Sequence, residues 1–254
     1  MTRSPHSPEP ASGISPQPPR WLSFVGLAGL LAIAAAQVFG FTMSPPDRDM
    51  GNLQKIMYVH VPAAWMSFIC FFVVMVNSVR YLWRRDERAD LLAASAAEAG
   101  AVLTALTLVL GSIWGRPTWG VWWTWDARLT STAVLLVIFV GYLALRAFTD
   151  DPERRAVWSA AVGILGALNV PIVYMSVKWW RTLHQLPSSP GTLDPAYTLA
   201  LRLNAIAALI LVVYVIGTRY HIARLEAAAH AMAEHEALSY SANANRDSME
   251  TVHV

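Results

Sequence analysis

Five tryptophans fall within about a dozen residues in Trp114-Gly-Arg-Pro-Thr-Trp-Gly-Val-Trp-Trp-Thr-Trp-Asp-Ala-Arg128, interleaved with the charges Arg116, Asp126 and Arg128. Read as a helix from Trp119 on, positions 119, 122, 123 and 126 follow the i, i+3, i+4, i+7 rule and place three indoles and the Asp126 carboxylate on one face. Gly115, Pro117 and Gly120 then predict an irregular, close-packed entry before it. A face of this kind covers a large, flat, apolar ligand. Tryptophan is also enriched where membrane helices meet lipid headgroups, so one or two indoles would need no further role. Five of them, with Trp114 and Trp125 as the flanking pair, exceed what anchoring requires.

Seven histidines are present, and His6, His221, His230, His235 and His253 lie in terminal segments where solvation accounts for them. His60, in Ile-Met-Tyr-Val-His-Val-Pro, and His184, one turn past Trp180 and Arg181, are different. Pro62 suits the first turn of a helix, which would set His60 at the mouth of a membrane span. Two imidazoles reaching toward one aromatic floor make an axial pair for haem iron, because neutral imidazole is a standard iron ligand and is largely unprotonated at pH 7. Arg128, Lys178 and Arg181 are the cations placed to receive haem propionates. Zinc is the competing metal, with Asp126 or Asp194 as a third ligand, but no HxxxH or HExxH spacing occurs. Cys70 is the sole cysteine and lies in an apolar run, which removes disulfides and cysteine-based zinc sites from consideration.

The elements that must position these residues are membrane helices. The chain is 55% hydrophobic and 14% charged, and its apolar runs approach the roughly 20 residues that cross a bilayer core. Six spans are predicted, at about 21–41, 59–79, 91–113, 129–145, 157–177 and 198–216, making an all-α polytopic protein with its membrane domain over 21–217. Residues 1–20, rich in Pro and Ser, read as a disordered tail, 218–240 as a helical extension of the last span, and 241–254 as a frayed end. Arg80, Arg84, Arg85, Arg88, Arg146, Arg154, Arg155, Arg219 and Arg224 collect on one side, which the positive-inside rule makes cytoplasmic, with both termini. The segment 114–128, between spans three and four, then lies on the outer face with the loops at 43–58 and 178–197.

Within the spans, Glu98 and Asn169 are the polar residues to watch, since intramembrane ionisable groups are costly and often functional. Glu98 lies near the arginine-rich loop, and a structural ion pair is its expected role. No run of acids forms a proton relay, and no glycine-rich phosphate loop is present, so ATP hydrolysis by that route is excluded. A net charge of +2 gives no sign of nucleic acid as a partner.

Trp119-Gly-x-Trp-Trp-x-Trp-Asp-x-Arg128-Leu-Thr resembles the WWD motif of haem-handling proteins. Lys55-Ile-Met-Tyr-Val-His-Val-Pro-Ala-Ala64 and Trp180-Arg-Thr-Leu-His-Gln185 are similar to the CcmC branch of that group, which delivers haem in cytochrome c maturation. The similarity covers about 21–216. It implies a bacterial inner-membrane protein, not an enzyme, that holds haem at the outer, periplasmic face between His60 and His184. Trp114, Trp119, Trp122, Trp123, Trp125 and Asp126 would form the platform and docking surface. The implied recipient is a periplasmic haem chaperone of the CcmE type. An ABC-type ATPase, a CcmB-type membrane subunit and a small CcmD-type subunit are implied as partners. The alternative is a transporter that moves haem or another substrate through the bundle along a path lined by Glu98, Asn169 or Asn204.

Overall fold

A computed structural model describes residues 15–186 and 193–252, with side chains through 242. Most of the Pro/Ser-rich segment, with His6, and His253 at the other end lie outside the described residues. Six α-helices follow in order: α1 Arg20–Met43, α2 Met57–Arg84, α3 Glu87–Trp119, α4 Ala127–Phe148, α5 Pro152–Trp179 and α6 Pro195–Val252. All six are long and apolar enough to cross a membrane, and the described residues form no sheet.

Helix α2 is the central element, packed against α3, α5 and α6, while α1 pairs with α6 and α4 with α5. Lipid tails are as apolar as leucine, so these contacts depend on shape, and small residues let backbones approach. Ala93, Ala96, Ala97 and Ala101 of α3 accordingly pack on Phe71 and Val74 of α2 and on Leu135, Phe139 and Tyr142 of α4. Phe71 and Phe139 stack at 3.7 Å between ring centres, tilted by only 13°. Gly100 is required where it stands, because a Cβ there would lie 2.5 Å from Cε1 of Phe71.

Three local features differ from the sequence reading. Helix α2 begins at Met57, after a 3-10 turn at Asn52–Ile56, so Pro62 sits inside the helix rather than in its first turn. The ring removes the N–H that would bond the carbonyl four residues back, that of Tyr58. Gln37 of α1 fills the gap by donating from Nε2 to the Tyr58 carbonyl at 3.4 Å. In the tryptophan segment the order is inverted: Trp114 to Trp119 are the final turns of α3, and 120–126 is non-helical. Gly120 ends α3 at φ 79°, its N–H bonding the Arg116 carbonyl, and Asp126 caps α4. A left-handed glycine after the last turn is a standard helix stop, and it outweighs the periodicity that suggested helix beyond Trp119. Pro117 lies in that last turn and leaves the Ile113 carbonyl without its helical N–H. Finally, α6 runs on as one helix through Val252, past the point where fraying was expected.

The ends of α3, α4 and α6 richest in arginine are closed by ion pairs. Arg146 of α4 meets Asp90 of α3 through two hydrogen bonds of 2.6 and 2.8 Å, with the side chains only 13% and 12% exposed. Arg219 of α6 pairs with Glu98 of α3 at 2.5 and 3.1 Å, the structural role expected for that carboxylate. Arg80 pairs with Asp86, the residue that caps α3.

Candidate functional site

A cleft, open at its mouth and lined largely by aromatic and apolar side chains, lies at the other end of the bundle. Helix α2 contributes His60, Trp65 and Phe68, and α3 contributes Thr107, Gly111, Trp114 and Trp119. Trp123 enters from the 120–126 loop, Arg128 and Thr132 from α4, Val173 and Tyr174 from α5. His184 closes the ring from the segment after α5, and Met50 from the loop after α1.

Each histidine is set against an indole. The His60 ring meets Trp114 edge to face, with centres 5.7 Å apart and planes at 77°, and His184 tilts against Trp119 at 6.3 Å. Gly111 makes room for the first of these, since a Cβ there would stand 3.0 Å from Cε1 of His60. Trp119 in turn folds back over Gly115, where a Cβ would lie 2.9 Å from its ring.

The nitrogens are poised for coordination. His184 Nδ1 lies 2.8 Å from the Gln185 carbonyl. A carbonyl only accepts, so Nδ1 carries the proton in the neutral ring and the Nε2 lone pair is left for a metal. Burial also lowers the pKa of His184 below the ordinary imidazole value, favouring that neutral form. His60 is 8% exposed, and its Nδ1 is buried without a partner, as are the indole N–H groups of Trp114 and Trp123. Several other buried polar atoms lack a partner, Ser78 Oγ and Ser159 Oγ among them; the three that border the cleft are those a bound ligand could meet. Arg128 is the cation of the site: Nη1 donates to the Val173 carbonyl at 2.6 Å, and no described carboxylate pairs with it.

Known proteins resemble this chain over most of its length. The sequence model of the heme exporter protein C family, CcmC, matches residues 9–235. The chain belongs to that family. The heme exporter protein C of Bradyrhizobium diazoefficiens is 40% identical over 191 residues, covering 74% of this chain and 71% of the relative. That of Escherichia coli K12 is 38% identical over 193 residues, covering 75% and 78%. A putative cytochrome c biosynthesis ccmC-like mitochondrial protein of Marchantia polymorpha is 41% identical over 156 residues, covering 61% and 65%.

Of the residues singled out in this CcmC-family chain, His60, His184, Trp114, Trp119, Trp123 and Arg128 line the cleft. Trp122 and Trp125 do not; they are 59% and 80% exposed beside it, Trp122 under the Arg116 guanidinium at 6.0 Å and Trp125 edge-on to Trp123. Lys178 and Arg181 are exposed and away from the lining. Asp126 spends one oxygen on Leu129 N at 2.9 Å and the other on Thr182 Oγ1 and Leu183 N at 2.7 and 3.1 Å. Asp194 accepts from Ala196 N at the start of α6, and among the described residues no three His, Cys, Asp or Glu side chains are grouped as a zinc site would need. Glu98, Asn169 and Asn204 are absent from the lining. Asn169 donates to the Ser131 carbonyl, and Asn204 is bonded to Gln37 and to the carbonyls of Ala36 and Ala200.

Sequence reasoning missed Met50, Trp65, Phe68, Thr107, Gly111 and Tyr174. The signal for several was helical spacing: 60, 64 and 68 on α2, and 107, 111, 114, 115 and 118 on α3, repeat at three and four residues.

Proposed function

We propose that this protein binds haem in the cleft, with His60 and His184 as axial ligands, and delivers it to a periplasmic haem chaperone of the CcmE type for c-type cytochrome biogenesis. The observation that carries the reading is the convergence on one aromatic cleft of two histidines from α2 and the segment after α5, with His184 Nε2 left free by its own backbone bond. Trp114, Trp119 and Trp123 cover the porphyrin faces and edge, and the Arg128 guanidinium receives a propionate through a charge-assisted fork. Lys178 and Arg181, exposed nearby in sequence, meet the outer propionate or the chaperone.

Delivery demands that cargo be held without being kept. A site about 2.8 kcal/mol tighter than its acceptor would retain about 99% of the haem at matched concentration, so an open mouth is an asset. Trp122 and Trp125 lie beside that mouth with their rings in the open, and we assign them to chaperone docking. The orientation follows the arginine distribution: the paired, arginine-rich end faces the cytoplasm of a bacterial inner membrane and the cleft faces the periplasm. Family membership extends the assignment to a membrane complex with an ABC-type ATPase, a CcmB-type subunit and a CcmD-type subunit. Passage of haem through the bundle has no comparable support, because the polar residues that would line such a path are bonded within and between helices.

The test is the absorbance spectrum of purified protein loaded with haem. His60→Ala and His184→Ala each shift the Soret band and stop chaperone loading while membrane insertion persists; a double variant that loads normally refutes the assignment.

A further inference from the structure

Asp126 is the one acid of the tryptophan segment, and its sequence position suggests a surface charge for a ligand or partner. Its carboxylate is instead engaged on both oxygens. Oδ1 accepts from Leu129 N at 2.9 Å, the ordinary N-cap of a helix. Oδ2 has a different duty, accepting from Thr182 Oγ1 at 2.7 Å and from Leu183 N at 3.1 Å, more than fifty residues along the chain. Thr182 Oγ1 then accepts from His184 N at 3.1 Å. A cap needs only the first of these bonds.

Residues 181–186 have no helix of their own to set their course, since α5 ends at Trp179 with the Trp180 N–H bonded back to Ser176. The amides of Leu183 and His184 are both anchored in this cluster, one directly and one through the threonine hydroxyl. We propose that Asp126 is a positioning residue for His184: through Thr182 it fastens the His184 segment to the start of α4 and thereby sets where Nε2 stands over the cleft. The anchor is well chosen. A carboxylate at a helix N-terminus is held by the helix dipole and its own cap, so the loop inherits the rigidity of α4. This assignment rests on His184 being a haem ligand, as proposed above.

Two substitutions separate the loop bond from the cap. Thr182→Val removes the relay and leaves Asp126 capping α4. Asp126→Asn keeps a side chain that caps about as well as Asp, but whichever way the amide turns, one set of donors then faces an NH2 group. Thr182→Ser restores the hydroxyl. The measurement is the spin state and haem affinity of the purified, haem-loaded protein by absorbance and electron paramagnetic resonance. Amide hydrogen exchange of Leu183 and His184 is followed alongside in the haem-free protein.

Thr182→Val and Asp126→Asn are expected to convert low-spin, six-coordinate haem partly to a high-spin form like that of His184→Ala. Haem binding should weaken about tenfold and exchange at the two amides quicken about tenfold, with Thr182→Ser near wild type. If both variants keep the wild-type spin state and affinity while His184→Ala loses them, the positioning role is wrong and the ligand assignment stands. If His184→Ala itself leaves the spectrum unchanged, the ligand assignment is wrong and the positioning role falls with it.

Discussion

The two ends of this bundle hold their charged side chains differently. At the arginine-rich end the charges meet carboxylates: the buried Arg146 grips Asp90 with two bonds, and the more exposed Arg219 and Arg80 pair with Glu98 and with Asp86, which caps α3. At the other end Arg128 has only a backbone carbonyl, His60 Nδ1 has nothing, and two indole N–H groups are stranded. The same helices supply both ends, so the contrast is not one of fold quality. Unpartnered buried polar atoms occur at both ends, Ser78 Oγ, Ser159 Oγ and His221 Nε2 among them at the arginine-rich one, so what separates the ends is charge: guanidinium groups are paired with carboxylates at one and Arg128 is left without a carboxylate at the other.

That contrast is sharpest where charge is most buried. Asp90→Ala strands Arg146 in the bundle and should cost about 3–5 kcal/mol of stability, read as a lower unfolding midpoint in detergent, while haem affinity per folded molecule is unchanged. Equal loss of haem affinity would mean that the two ends are not independent. The double variant His60→Ala, His184→Ala has the converse signature. Affinity should fall at least about a hundredfold, about 2.8 kcal/mol, with the unfolding midpoint of the haem-free protein held or raised, since an orphaned imidazole leaves the interior. Arg128→Gln comes next, at about a tenfold loss of affinity, measured by haem titration; a charge that served only to bond Val173 would give no such loss.

The smallest effect is that of pH near neutrality. Because burial depresses the His184 pKa, its neutral form already dominates at pH 7, and raising the pH to 8 should change haem affinity by less than about twofold. Affinity falls only as the pH drops below the ordinary imidazole value of about 6.5 and through the lowered one. Stability has the same sign: a histidine with a depressed folded pKa favours the unfolded chain, which takes the proton first, as the pH falls below its unfolded value. Spectra recorded between pH 8 and pH 5 check this, and a loss beginning above pH 7 would contradict it.

Much of this was legible in the amino-acid order because membrane spans write themselves as long apolar runs, and all six helices lie where those runs fall. His60, His184 and Arg128 were legible from residue type and from their place at the ends of spans. The helix in the tryptophan segment was not. Periodicity at 119, 122, 123 and 126 pointed one way and Gly120 the other, and a single left-handed residue settled it. Trp122 and Trp125 therefore stand outside the cleft, while Trp114, a turn and more before the motif, stands inside. Lys178, a propionate candidate, stands outside the cleft lining: the part of α5 that reaches the cleft is Val173 and Tyr174, a turn earlier. The bond from Asp126 to Thr182 was beyond any local reading, because it joins segments that only the packing of α4 on α5 brings together.

Pro62 leaves one further mark on the molecule. The carbonyl it abandons, at Tyr58, is met by the amide of Gln37, whose Nε2 also donates to Asn204 Oδ1 at 2.7 Å. Helix α1 contributes no wall to the cleft, yet through this one amide it shares a donor with α6 and touches the backbone two residues from His60. A leucine at position 37 would match the apolar composition of α1 and still leave a bare oxygen in the turn that carries His60, the first of the two proposed ligands.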